Sequence, residues 1–227
     1  MRMLCSWRGL AIGALCATLG GVASASSFSF TGTFNTDDQL QYLEFVAASP
    51  SVTIDTLGYG GGTNAASSVI PAGGFAPVLS LFSENGGSTF SPSNLLLDTT
   101  FPSGSCSGNT DPGTGACLDV ALSESALTTG DTYLVVLTEN SNSPVAPTLG
   151  DGFTQAGSGD FTGPDFGCPD GSFCDPFGND RTGNWAVDIS GATSAQLAGV
   201  PEPETMLPLL IASSAAVLLR RQAKPAK

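Results

Sequence analysis

The 227-residue chain contains no histidine. That removes the usual general base near neutral pH and the commonest zinc ligand. Any Ser-His-Asp or Cys-His mechanism goes with it. Lysine is absent between residues 26 and 199, and Arg181 is the single basic residue of that stretch. A Ser-Lys dyad or a lysine Schiff base is therefore excluded there. One arginine stands against 18 Asp and Glu, a formal charge of −17 for residues 26–199. Such a surface repels nucleic acid and anionic lipid and keeps an exported protein in solution. Helical periodicity is scarce, and the apolar runs at the two ends both fall short of the ~20 residues that a settled membrane span needs.

Those two runs have recognisable surroundings. Arg2 and Arg8 precede an apolar stretch from Gly9 to Val22, which ends in Ala23-Ser24-Ala25. A basic start, a short apolar core and small residues at the −3 and −1 positions read as a secretory signal peptide. Residues 1–25 are the expected signal, with cleavage directed by Ala23 and Ala25. Secretion machinery and signal peptidase are the partners it implies. At the other end, Pro201-Glu202-Pro203 precedes the uncharged run Met206 to Leu219, and Arg220-Arg221 follows it. Four of the seven basic residues lie after that run, so residues 220–227 stay cytoplasmic and the bulk of the chain sits outside the inner membrane.

The order Pro-Glu-Pro, apolar helix, arginine pair resembles the PEP-CTERM sorting signal. The resemblance covers Val200 to Lys227 and implies recognition by an exosortase, a membrane protease-transpeptidase of Gram-negative bacteria that make exopolysaccharide. Pro201, Glu202, Pro203, Arg220 and Arg221 are the sorting residues it assigns. This copy departs from the pattern in having no glycine in the helix and scattered lysines after the arginines. Residues 195–227 are read as a spacer plus this tag, with the apolar helix at 206–219. The chain would be anchored transiently, then delivered to the cell surface or exopolysaccharide.

Between the ends, residues 26–194 form the expected body. Cys106, Cys117, Cys168 and Cys174 remain after signal removal. An even number in an exported chain points to disulfides. Of three connectivities, the local pairs Cys106–Cys117 and Cys168–Cys174 are favoured, because each brackets a loop rich in Gly, Pro and Asp. Short alternating segments recur: Phe28 to Phe34, Leu40 to Val46 with a bulge near Tyr42, Val52 to Ile54, Val78 to Phe82, Leu118 to Leu122, Tyr133 to Leu137 and Trp185 to Ile189. Turn clusters separate them, among them Gly60-Gly61-Gly62 and Asp111-Pro112-Gly113. The pattern predicts an all-β fold, an antiparallel jelly-roll-like β-sandwich. Residues 139–182 read as an irregular acidic loop, of a length that is functional or poorly ordered.

The blocks FTGTFNTDDQLQYLEF (Phe30 to Phe45), LGYGGGTNAASSVIPAGGFAPVLSLF (Leu57 to Phe82) and DRTGNWAVDI (Asp180 to Ile189) resemble a family of PEP-CTERM-bearing exported proteins without assigned activity. Their domain is similar to the pre-peptidase C-terminal β-sandwich. The resemblance implies a surface protein and an acid where Ala76 stands in GGFAP; if that acid is a ligand in relatives, this chain has lost it.

Calcium is the one cofactor the acids suggest, since it takes six to eight oxygen ligands. Asp37 and Asp38, paired in a turn, and Asp111, in Asn109 to Gly115, are the candidate ligands. A solvated turn and a disulfide-closed turn are the readings favoured over them. Asp160, Asp165, Asp170, Asp175 and Asp180 recur every five residues, a spacing that shares no face. Arg181 is expected to clamp a carboxylate and staple the acidic loop to the last strand. Trp185 reads as core rather than as a sugar platform, and Tyr42 and Tyr59 as exposed. No pair of acids stands out as the two carboxylates of a glycosidase. The expected function is non-enzymatic, at the cell surface or in the exopolysaccharide matrix. The alternative is a carbohydrate-binding module, with calcium assisting.

Overall fold

A computed structural model describes residues 25–83, 91–102, 108–169 and 171–199. The signal segment before Ala25, the sorting residues Pro201, Glu202, Pro203, Arg220 and Arg221, and Cys106 lie outside them. No helix among the described residues is long and apolar enough to cross a membrane.

Among the described residues ten strands carry the fold: β1 Ser26–Thr33, β2 Gln41–Ala47, β3 Val52–Thr56, β4 Gly62–Thr63, β5 Val69–Ile70, β6 Pro77–Ser83, β7 Leu95–Thr100, β8 Ala121–Glu124, β9 Thr132–Glu139 and β10 Asn184–Ala198. One short helix, α1 Thr162–Phe166, and one 3-10 turn, Leu149–Asp151, fall between β9 and β10. All strand pairs are antiparallel. Eight strands belong to one hydrogen-bonded sheet, in the path β7-β6-β9-β2-β10-β3-β8 with β1 added to β10. β4 and β5 form a separate hairpin.

β10 turns this sheet into two facing layers. Its residues 184–192 pair along one edge with β1. Its other edge meets β3 at residues 187–190 and β2 at residues 192–198. β2 and β3 thus run end to end beside β10, and past the corner each finds its own outer neighbour, β9 and β8. Gly191 sits at the bend, with φ +98°, and a Cβ there would lie 2.6 Å from the Ser51 carbonyl oxygen. A register shift follows at once, between Ala192 and Ser194. Glycine and a bulge are the usual means of turning a strand through such a corner. β7 and β8, the ends of the path, lie against each other, so the sheet approaches a closed barrel.

The interior follows from alternation. Leu43 and Phe45 of β2, Leu79 and Leu81 of β6, Val135 and Leu137 of β9, Ile54 of β3, Leu122 of β8, and Val187 and Ile189 of β10 share one buried cluster. β6 and β9 are buried on both faces. Their outward Phe82, Leu134 and Val136 form a second cluster with Tyr42, Leu149 and Phe153, because the segment after β9 folds back over that layer. Tyr42 is therefore buried, not exposed, and the register of β2 is continuous through it, so the bulge expected there is absent. β10 also runs further than expected: residues 195–198, assigned to a spacer, continue the strand against β2.

Candidate functional site

Asp37, Asp38, Asp111 and Asp175 each accept hydrogen bonds from neighbouring groups. Asp37, in the turn between β1 and β2, is fully buried. One carboxylate oxygen accepts from the Phe173 amide at 2.7 Å. The other accepts from the Thr162 amide at 2.8 Å and from the Thr162 hydroxyl. A carboxylate that collects backbone donors does the work of a missing strand partner, since buried amides left unpaired are costly. Phe173 has φ +48°, a left-handed conformation that is unfavourable for a bulky residue. Its amide bond to Asp37 and its ring, 6.0 Å from Phe75 in a stacked pair, hold it there. Asp38 accepts from the Thr36 hydroxyl at 2.7 Å.

Arg181 forms the second anchor. It donates to Asp111 at 2.5 Å, to the Gly74 carbonyl at 3.0 Å and to the Tyr59 carbonyl at 3.0 Å. Its guanidinium lies 3.9 Å from the Tyr59 ring centroid, in cation–π contact. Burial pushes Asp111 up, but hydrogen bonds from Arg181, Gly113 and Thr114 outweigh it and hold the carboxyl below its ordinary value. The Tyr59 hydroxyl donates to Asp175 at 2.7 Å. Burial, aided by Asp175, pushes that phenol up to about 12. Asp175 also caps its own turn, accepting from Phe177 and Asn179. Tyr59 is thus fully buried at the centre of a polar seam, against the expectation of exposure. Arg181 clamps a carboxylate as expected, but its partners Asp111, Gly74 and Tyr59 tie the acidic segment to earlier loops and not to the last strand, which begins three residues later at Asn184.

The disulfide Cys168–Cys174 closes the loop after α1. Cys117 is also disulfide-bonded, and Cys106, the partner expected for it, lies outside the described residues. Asp37, Asp38 and Asp111 do not converge: among the described residues no three acidic or cysteine groups come close enough to hold a metal ion. Asp170 of the five-residue series lies outside the described residues. Asp160 and Asp165 are exposed while Asp175 is buried, so the series shares no surface.

Two buried acids differ from the rest. Asp119 accepts from the Tyr59 and Gly60 amides and the Thr56 hydroxyl, yet burial still raises it above its ordinary value. Glu139, the last residue of β9, is fully buried, and neither oxygen has a hydrogen bond of good geometry, although the Ala76 amide lies close enough to favour its charged form. Burial, with the charges of Asp37 and Asp175 nearby, pushes it well above the usual glutamate range. Nothing in the sequence around Thr138-Glu139-Asn140 distinguishes this acid from a solvated strand end.

The cavities have a different chemistry. One of about 440 Å³ opens between β1, the start of β10 and the β4–β5 hairpin. Thr31, Gly32, Thr33, Asn184 and Trp185 bound it on one side and residues 68–71 on the other. Another, of about 430 Å³, lies among Pro102, Ala116, Leu118 and Phe177. No charged residue lines either. The first is the candidate functional site, since it combines hydroxyl, amide and indole groups with an apolar wall. Trp185 is core as expected, 6.3 Å from Phe34 between ring centroids, yet it also reaches this cavity. Compared with models of known families and with curated proteins, the chain matches none.

Proposed function

We propose that the protein is an exported, non-enzymatic component of the cell surface or exopolysaccharide matrix, sorted through a PEP-CTERM-type tag at its C-terminus. The observation that carries this reading is the Cys168–Cys174 disulfide, which closes the acidic segment. Such bonds persist in oxidising compartments outside the cytosol. Two further features support it. Ala25 is exposed and β1 begins at the next residue, so cleavage after Ala25 removes no part of the sheet. The buried carboxylates Asp37, Asp111 and Asp175 are committed to structural hydrogen bonds, which leaves no facing pair for two-carboxylate hydrolysis among them. On this reading the body is a jelly-roll-like β-sandwich held outside the inner membrane, and the exosortase grips residues 201–221.

The test is intact mass and membrane fractionation of the native product, beside a variant with Pro201, Glu202 and Pro203 all replaced by alanine. The wild type should lose both ends and leave the inner membrane. The variant should keep its C-terminus and stay membrane-bound. Identical mass and fractionation of the two would overturn the processing claim. A carbohydrate-binding role is the second reading, favoured by the uncharged cavity beside Trp185.

A further inference from the structure

The outward side chains of β1 are Ser27, Ser29, Thr31 and Thr33, and those of the facing half of β10 are Asn184, Ala186, Asp188 and Ser190. The β4–β5 hairpin is tied to this surface. The Ala65 amide donates to Asp188 at 2.7 Å and the Ala66 amide donates to the Ser29 hydroxyl at 3.1 Å. The hairpin turn is itself braced, with the Ser68 amide on the Asn64 side chain at 2.8 Å and Ser67 at φ +64°. One wall of the cavity is therefore fixed before any ligand arrives, and a preformed wall lowers the entropy lost on binding.

The groups facing this space are polar but uncharged. Thr33 donates its hydroxyl to Asn184 Oδ1 at 2.8 Å, which orients the amide and leaves Asn184 Nδ2 to donate elsewhere. The hydroxyl of Thr31 makes no hydrogen bond among the described residues, and neither does the indole N–H of Trp185, a residue only 6 % exposed. Gly32 is required beside it, because a Cβ there would overlap the indole ring. Opposite, Ile70 and Pro71 give an apolar surface, and Val69 is 81 % exposed at the rim. A 440 Å³ cleft with a few oriented donors and an apolar wall is of the size and kind that takes a small ligand.

We propose that this cavity binds an uncharged sugar unit of a polysaccharide. A neutral sugar ring presents hydroxyls to Asn184, Thr31 and the Trp185 indole N–H, and its C–H face to Val69 and Pro71. An acidic sugar is disfavoured, because no cation lines the cavity and the surrounding body carries 18 acids against one arginine. The inference rests on reading the body as a surface binding module, and it adds the site and the class of ligand.

The sequence supplies its own reporter. Trp7 and Trp185 are the two tryptophans, so Trp7→Phe makes Trp185 the sole one in the full-length chain. That protein, purified in detergent, is titrated with dextran, galactomannan and alginate while Trp185 fluorescence is followed. The same probes are used in affinity electrophoresis. At least one neutral polysaccharide should shift the fluorescence and retard migration, and the polyuronate alginate should do neither. Asn184→Ala and Thr31→Val, both at exposed positions, should each weaken the binding roughly two- to tenfold, the worth of one hydrogen bond. Val69→Glu should weaken it too, by placing a charge on the rim. Silence with both neutral probes, retention by alginate alone, or undiminished binding in all three variants would overturn the proposal. Processing is read separately by mass, so Asn184→Ala leaves sorting intact and the tag variant leaves sugar binding intact.

Discussion

In β2, β6 and β9, side chains such as Leu43, Leu81 and Val135 are fully buried against other apolar groups and ask nothing of their neighbours but shape. Between Asn140 and Gly183 the described residues form one short helix and one 3-10 turn, and the buried points include Asp175, Thr162 and Asn142. The first region is stabilised by area removed from water. The second is organised by carboxylates that gather amides from distant loops. A missing methylene in the first leaves a cavity, whereas a missing oxygen in the second strands several donors at once. The two regions should therefore fail in different ways, and substitutions can test that difference.

The largest effect is expected at Arg181. Arg181→Ala removes a buried ion pair with Asp111, leaves the Gly74 carbonyl short of a donor and reduces the Tyr59 carbonyl to its bond from the Gly73 amide. Breaking such a pair costs roughly 3–5 kcal/mol. Leu137→Ala in β9 should cost a similar amount, about 2–5 kcal/mol. Hydrogen exchange separates them. The arginine variant should expose amides of residues 109–116 and 171–183 first, while the leucine variant should lower protection throughout the sheet. Identical exchange patterns would erase the distinction between the two regions.

Asp37→Asn comes next. The amide side chain keeps one acceptor where the carboxylate served Phe173 and Thr162 with both oxygens. A loss of roughly 2–3 kcal/mol is expected from the donors left unmatched. Limited proteolysis should then cut near Phe173, whose left-handed backbone loses its tether, and urea denaturation should report the loss. Removing the Cys168–Cys174 bridge by a double Cys→Ser change should cost about 2 kcal/mol, because the closed loop is short.

The division also explains what could be read from the sequence. β6 and β9 were legible because runs such as Val78 to Phe82 are apolar on both faces, a signal contained within the strand. Leu43 and Phe45 were legible from alternation. Tyr42 was not, because the layer that covers it, Leu149 and Phe153, arrives from over a hundred residues away. β7 was missed because its Leu95 and Leu97 are exposed, so its apolar content did not alternate with the core. β4 and β5 are two residues each and carry no period. Asp37-Asp38 read as a turn, which is correct, but the partners of Asp37 lie 125 and 136 residues ahead. The cavity beside Trp185 combines β1, β10 and a hairpin, three segments whose juxtaposition only the fold supplies.

The most discriminating prediction, with little effect expected at acid pH, concerns Glu139, an acid on the seam between the two regions that has fewer donors than its neighbours. Burial first, then the charges of Asp37 and Asp175, raise its folded-state value well above that of an unfolded glutamate. Between those two values the folded state holds a proton that the unfolded state has released. Stability from this group is therefore fully present below the ordinary glutamate range and is lost as pH rises towards the folded value. Asp111 and Asp175 are shifted the other way, so their contribution is present at neutral pH and lost on acidification. Glu139→Gln keeps the shape and removes only the titration. Against wild type it should gain little near pH 4 and progressively more towards pH 8, with a slope approaching ~1.4 kcal/mol per pH unit between the unfolded and folded values, measured as the difference of two urea midpoints across that range. A difference that is flat with pH, or that shrinks as pH rises, would mean that Glu139 is solvated in the folded state, and the seam would then be wetter than its packing implies.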